Sequence, residues 1–123
     1  MSDLMELAKK ACKVALKNGA QFADVELASG RSISVNVEKN GIHDSSEKKY
    51  TGVSVRSMIK GATGFSHSSG LGVNDVLETA KRSTAAAKLA QPDPDFVTLP
   101  APSESQQVSG LYDEKIAQMS AGD

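Results

Sequence analysis

The sequence contains one cysteine, no tryptophan and few aromatic residues. Aromatic side chains make up 4% of its 123 residues, against an apolar share of 39%. The single cysteine, Cys12, excludes an internal disulfide and is typical of a reducing compartment. The scarcity of aromatics predicts a core of Val, Ile, Leu and Ala, with Phe22, Phe65 and Phe96 as its few large side chains. A chain of this length can bury roughly two-thirds of its unfolded surface, which is enough for one domain.

An excess of charge of one sign and a long apolar run are missing as well. Fourteen basic and fifteen acidic residues leave a net charge of −1. This balance argues against a protein that binds nucleic acid or a membrane surface. Asp3 and Glu6 in the first turn are unlike a signal peptide, and no apolar stretch approaches membrane length. We therefore expect a cytoplasmic protein with neither nucleic-acid nor membrane partners.

The sequence begins with an amphipathic helix, predicted over residues 3–17. Asp3 can cap it, and Glu6 can complete a capping box. Asn18-Gly19 supplies a left-handed stop. The predicted apolar stripe consists of Leu4, Leu7, Ala8, Ala11, Val14 and Ala15.

The hydrophobic period then changes to 2, which predicts β-strands. Apolar residues alternate with polar ones over residues 23–27 and again over 33–37. Ser29-Gly30-Arg31 predicts a turn between these runs, and Asn40-Gly41 predicts a second reversal. The polar segment Ile42–Lys49 is either a solvated edge strand or a loop.

A second hairpin is predicted around Lys60-Gly61. A two-residue turn there would pair Ile59 with Ala62, Ser57 with Gly64 and Val55 with Ser66. Those small partners would let a helix approach the sheet closely. On the other face, Arg56 would lie opposite Phe65 in a cation–π contact of about 0.5–1 kcal/mol.

A second helix is predicted from an Asn74 cap to Leu89, with Val76, Leu77, Ala80, Thr84 and Ala87 along its apolar side. The predicted fold class is α+β: an antiparallel meander of about five strands covered by the two helices. We expect an α+β domain over residues 1–91 and a Pro/Ser-rich linker over 92–107. Residues 108–123 would be the stub of a following domain in a longer parent chain.

No catalytic, cofactor-binding or metal-binding residue emerges from the sequence. His43 and His67 lie on different predicted strands and lack the ligand pattern of a zinc site. Cys12 lies beside the apolar stripe without a signalled base. The glycines of residues 61–64 and 69–72 lack the spacing of a nucleotide-binding loop and are better read as turn and bulge glycines. We therefore expect this chain alone to be neither an enzyme nor a cofactor binder.

The central sequence resembles one known family. The resemblance is carried by Phe22-Ala23-Asp24-Val25-Glu26, Gly52-Val53-Ser54-Val55-Arg56 and Gly61-Ala62-Thr63-Gly64-Phe65. These residues, and the small-residue helix ending near Ala90-Gln91-Pro92-Asp93, resemble the N-terminal domain of the TldD/PmbA family, also called modulators of DNA gyrase. The similarity covers about residues 4–95. Leu111-Tyr112-Asp113 resembles the start of that family's next domain.

The resemblance implies a longer zinc metallopeptidase, or its inactive partner subunit, that matures or degrades peptides. The family's zinc motif, His-Glu-x-x-x-His, lies in the following domain and has no counterpart here, since neither His43 nor His67 precedes a glutamate. Zinc is thus implied only for an active parent. The implied partners are the rest of the parent chain and a TldD/PmbA-type subunit or a second copy.

Two functions follow as hypotheses. The first is a non-catalytic N-terminal domain that organises substrate or subunit contacts. The alternative is a free-standing interaction module that binds through its sheet edge, where an unpaired strand at Ile42–Lys49 would capture an extended peptide or a partner strand. An independent enzyme is the least favoured reading.

Overall fold

The computed structural model describes residues 2–123 and confirms an α+β fold with an antiparallel sheet and two long helices. The elements are α1 (Ser2–Lys17), β1 (Phe22–Glu38), β2 (Gly41–Ile59), β3 (Ala62–Ser68), α2 (Val73–Leu89) and α3 (Glu114–Ala117). The strands form one sheet in the order β1-β2-β3. None of the helices in this part of the chain is long and apolar enough to cross a membrane.

The chain divides into two compact units. The first unit comprises the chain up to Ser29 together with Tyr50–Leu99, and the second comprises Gly30–Lys49 together with Pro100–Asp123. β1 and β2 each contribute residues to both units. The boundaries predicted at residues 91 and 107 stay predictions.

The sheet has three strands rather than about five, because two pairs of expected strands are each continuous: residues 23–37 lie within β1, and residues 42–59 lie within β2. The turn predicted at Ser29-Gly30-Arg31 is wrong: β1 runs through these residues without a break. The apolar residues on both sides have odd numbers, so the alternation keeps its phase and favours a continuous strand. Gly30 is not among the glycines with positive φ.

Two tight turns connect the strands. The first is one residue earlier than expected, since Lys39 and Asn40 have φ of 50° and 61° while Gly41 already begins β2. Positive φ at both central residues is the pattern of a type I′ hairpin turn, for which Asn is well suited. The second turn lies at Lys60 and Gly61, with φ of 49° and 80°, as predicted.

The register of β2 against β3 is the predicted one. Ile59 pairs with Ala62, Ser57 with Gly64, Val55 with Ser66 and Arg56 with Phe65. The register ends at Val53 and Ser68, so β3 covers only the last part of β2.

Both long helices pack in the first unit, on one face of the sheet. Their apolar stripes are confirmed: Leu7, Ala11, Ala15, Val76, Ala80 and Ala87 are buried. The largest side chains that are fully buried are valines, namely Val53, Val55 and Val76. The prediction of phenylalanines as core fillers is wrong, since none of the three is among the buried residues. Small side chains fill the space instead because the helix backbone lies close to the sheet.

The start of α2 also differs from the prediction. Gly72, not Asn74, is the N-cap residue, and its carbonyl accepts the first helical hydrogen bond from the Val76 amide at 3.0 Å. No side chain caps this helix. Asn74 lies one position inside the first turn, where it is solvent exposed.

The chain beyond α2 returns to the sheet of the first unit. The Asp93 amide donates to the Gly61 carbonyl at 2.9 Å, and Pro92 forms an isolated bridge with Ala62. Phe96 meets Phe22 edge to face, with ring centroids 5.9 Å apart. These two aromatic rings therefore pack against each other, half-buried and apart from the valine and alanine core.

Candidate interaction surface

The two histidines that the sequence offers as candidate metal ligands lie in different units and contact different side chains. His67 lies in the first unit with Nδ1 3.1 Å from the Ser54 hydroxyl, and His43 lies in the second unit with Nδ1 3.4 Å from a Glu38 carboxylate oxygen. Within residues 2–123 no group of three or more His, Cys, Asp or Glu side chains is placed to hold a metal ion.

Cys12 is half-buried on α1, with Sγ 3.9 Å from the Ala23 carbonyl oxygen. Burial, and to a smaller extent the nearby Asp24 carboxylate, raises the pKa of its thiol. Both causes disfavour the thiolate, the form that reacts as a nucleophile. The surroundings of Cys12 on α1 therefore favour its neutral thiol.

The sheet face that points away from the helices carries an ion pair across two strands. In the first unit, Arg56 Nε donates to Asp24 Oδ1 at 3.2 Å, and Arg56 Nη2 donates to the other carboxylate oxygen. The hydrogen bond and the charge of Asp24 raise the pKa of the guanidinium. Two parallel charge-assisted bonds outweigh one exposed aromatic contact. Arg56 therefore pairs with Asp24 in place of the predicted cation–π contact with Phe65.

Phe65 consequently remains open to solvent beside this ion pair. Its side chain is 62% exposed although it lies directly opposite Arg56 in the register. A shallow groove of about 470 Å³ lies here, and we call it the outer-face groove. Its lining residues are Asp24, Val25, Glu26, Ser54, Arg56 and Phe65.

One edge of β2 is open in the second unit. Residues of β2 before Val53 have no partner in β3, because the pairing of these strands begins at Val53. The segment Ile42–Lys49 is strand and not loop. Within the described residues it pairs with β1 on one side only, which makes its other side a free edge.

The β1–β2 hairpin of the second unit exposes apolar side chains. Val37 is 65% exposed and Ile42 is 60% exposed, and both line a groove of about 740 Å³ with Ile33 and Val35. The other wall is formed by the C-terminal residues around Ile116 and Met119. Isolated two-stranded hairpins are marginal in water, so this covering segment contributes to the stability of the unit.

Arg31 attaches the C-terminal segment to the hairpin. Its Nη2 donates to the carbonyl oxygens of Ala117 and Met119, each at 2.7 Å, and its Nη1 lies 3.4 Å from a Glu47 carboxylate oxygen. The first of these carbonyls belongs to the last residue of α3, where a cation is favourable. Sequence reasoning missed this contact, since nothing in the sequence links residues so far apart.

The comparison with family models settles the relationship of the chain. The model described as PmbA/TldA metallopeptidase domain 1 matches residues 23–87. The chain belongs to the TldD/PmbA family. The match spans β1, the two hairpins and most of α2, and confirms the resemblance to the N-terminal domain. No curated protein matches the sequence.

Two solved structures share the fold of this TldD/PmbA-family domain. TldE from Thermococcus kodakarensis has a TM-score of 0.81 at 20% identity, over 94% of this chain and 26% of that one. A candidate modulator of DNA gyrase from Bacteroides thetaiotaomicron has a TM-score of 0.72 at 20% identity, over 99% of this chain and 28% of that one. The chain thus spans about a quarter of the length of the solved structures that it matches.

Proposed function

We propose that this chain acts as the non-catalytic N-terminal domain of a TldD/PmbA-like metallopeptidase or of its partner subunit, where it organises contacts with substrate or subunit. The observation that carries the proposal is the family match over residues 23–87, described as the first domain of a metallopeptidase. The much greater length of the two solved structures supports it. We place the protein in the cytoplasm, in keeping with its single cysteine.

Zinc chemistry in this proposal belongs to another part of the parent. The sequence holds two histidines, and neither begins a His-Glu-x-x-x-His motif. The proposed role of this chain is to supply sheet surface and subunit contacts, with hydrolysis of the peptide bond carried out elsewhere in the parent or in its partner.

The test is the coding sequence downstream of Asp123, followed by metal analysis of the encoded protein. A reading frame that continues into His-Glu-x-x-x-His, with about one zinc per full-length chain, would support the active peptidase. A continuation without the motif, and without zinc, would support the partner subunit. A stop codon directly after Asp123 would refute the role as part of a longer peptidase and leave the interaction module.

The second candidate function is peptide capture by strand addition, and the free edge of β2 favours it. An extended peptide could pair with the backbone of residues 42–49, whose N–H and C=O groups on that side have no strand partner in the described part of the chain. Main-chain hydrogen bonds would give affinity with little dependence on peptide sequence. A partner subunit's strand could use the same edge.

Proline substitution at neighbouring positions tests strand addition. Successive N–H groups of a strand point to opposite edges, so Ser45→Pro and Ser46→Pro remove one donor from the free edge and one from the β1–β2 pairing. The probe is a blocked eight-residue peptide of alternating threonine and valine, with its alternately N-methylated form as control. We expect one proline variant to keep the fold and lose binding. Unchanged binding by both folded variants, or equal binding of the N-methylated peptide, would refute the proposal.

A further inference from the structure

The outer-face groove combines an exposed aromatic ring with an uncompensated negative charge. The Asp24 carboxylate is neutralised by Arg56, which donates to both of its oxygens. Glu26 lines the same groove and is exposed, and it makes no hydrogen bond or ion pair with any of the described residues. The charged residues that line the groove, Asp24, Glu26 and Arg56, therefore sum to a net charge of −1, and the carboxylate of Glu26 has no ion-pair partner within residues 2–123.

We propose that the outer-face groove binds an arginine side chain of a partner polypeptide. The guanidinium would lie on the ring of Phe65 and donate to the carboxylate of Glu26. Because Arg56 is held by Asp24, Phe65 has no cation–π partner in the described part of the chain, and its ring is available to an incoming cation. This site lies in the first unit, and its use does not depend on peptide capture at the free edge of β2.

The chemistry of the groove favours arginine over lysine. A guanidinium is planar, so it can stack on an aromatic face while its edge donates to a carboxylate. An ammonium is more strongly hydrated and would keep its water at so shallow a site. The groove volume of about 470 Å³ lies in the range of small ligand sites and exceeds what a single side chain needs. Backbone on either side of the arginine can therefore enter as well.

The binding of one arginine should be weak and local. An exposed cation–π contact contributes about 0.5–1 kcal/mol, and an exposed ion pair contributes a similar amount. Together the two contacts give about 1–2 kcal/mol, so a short peptide would bind with a Kd of roughly 30–200 mM, and a partner protein would need further contacts around this arginine. The ion-pair part should weaken as salt is added, because the groove is open to solvent.

The experiment is an NMR titration of the 123-residue chain with three blocked tripeptides. They carry arginine, citrulline or lysine between two glycines, and citrulline is the uncharged isostere of arginine. We expect the arginine peptide to shift the amide signals of the groove residues selectively. Glu26→Gln and Phe65→Leu should each weaken it about threefold. Both positions are exposed, so both variants should keep the wild-type spectrum elsewhere.

Glu78→Gln is the matched control. Glu78 lies on α2, on the opposite side of the sheet, and the substitution changes the net charge by the same amount. It should leave arginine binding unchanged. Equal binding of the citrulline or lysine peptide, shifts scattered over the whole surface, or an equal loss in Glu78→Gln would each overturn the proposal.

Discussion

Gly64 on β3 lies in direct contact with the backbone of α2. A Cβ built on Gly64 would come within 2.9 Å of the Ala87 Cα, and closer still to the Ser83 carbonyl oxygen and the Ala87 amide nitrogen. The helix therefore rests on the bare backbone of the strand. This close approach explains why small residues occupy the facing side of α2.

Replacing Gly64 by alanine should destabilise the fold strongly. The added methyl group would meet main-chain atoms, which cannot rotate away, so α2 would have to move from the sheet. Overpacking of this kind costs about 3 kcal/mol. Urea unfolding followed by circular dichroism would measure the loss. Gly41→Ala is the control, because a Cβ there would meet only the Glu38 carbonyl oxygen at 3.7 Å. Equal stabilities of the two variants would contradict the packing argument.

Three buried hydroxyl groups join β2 to α2 beside this contact. The Ser57 hydroxyl lies 2.7 Å from Ser83 Oγ and 3.1 Å from Thr84 Oγ1, and both helix hydroxyls also donate to the Ala80 carbonyl. Ser57→Ala removes the link but leaves each helix hydroxyl with its bond to Ala80. We therefore expect a loss of about 1 kcal/mol in the free energy of unfolding.

The exposed Ser45→Ala provides the reference for this substitution. It removes a hydroxyl on the surface and should change stability by less than about 0.5 kcal/mol. Thermal unfolding monitored by circular dichroism would compare the two variants. A Ser57→Ala protein as stable as the Ser45→Ala protein would show that the hydroxyl network contributes nothing.

Local patterns predicted those parts of the fold that depend on neighbouring residues. The turn at Lys60-Gly61 fixed the register of β2 and β3, and that register places Gly64 opposite Ser57. The same reasoning failed at Gly30, because a glycine among polar residues is equally compatible with a turn and with a long strand. The one signal for a continuous strand was that the apolar residues have odd numbers both before and after Gly30, so the alternation is not interrupted there.

Contacts between distant segments could not be read from the sequence. The Asp24–Arg56 pair required the pairing of β1 with β2, which no single turn signal fixed at that distance. The alternation of polar and apolar residues did place Asp24 and Arg56 on the outer faces of their own strands. The contact of Arg31 with the C-terminal segment had no local signal at all. Long-range polar contacts of this kind depend on the folded backbone rather than on periodicity.

Cys12 should react slowly with thiol reagents in the folded protein. Burial and the Asp24 charge raise the pKa of its thiol, so less thiolate is present at a given pH than in the unfolded chain. The neutral thiol's contribution to stability is complete below the unfolded pKa and is lost as the pH rises through the folded pKa. Alkylation by iodoacetamide at pH 8 should therefore accelerate on unfolding in urea.

Asp24→Asn tests the charge contribution to the Cys12 pKa. The variant should alkylate faster than the wild type in the folded state, and by less than full unfolding does, because burial is the larger cause. Glu78→Gln changes the net charge by the same amount at a residue that does not contribute to the raised pKa of Cys12, so it should alkylate at the wild-type rate. A folded protein that reacts as fast as the unfolded chain would contradict the raised pKa.

Arg31 should determine how firmly the C-terminal segment is held. α3 has no buried residue, and the Arg31 guanidinium binds the carbonyls of Ala117 and Met119. Arg31→Gln replaces two charge-assisted bonds by at most weaker neutral ones. A loss of about 1 kcal/mol corresponds to a roughly fivefold rise in the open population of the segment. Trypsin cleavage after Lys115, followed by mass spectrometry, should accelerate by that factor.

Arg82→Gln is the control, because it also removes one tryptic site. The Arg82 side chain donates to Thr79 on the same helix at 3.5 Å, so its loss should leave the rate of cleavage after Lys115 unchanged. Equal cleavage rates in the two variants would show that packing on the hairpin, and not Arg31, holds the segment in place.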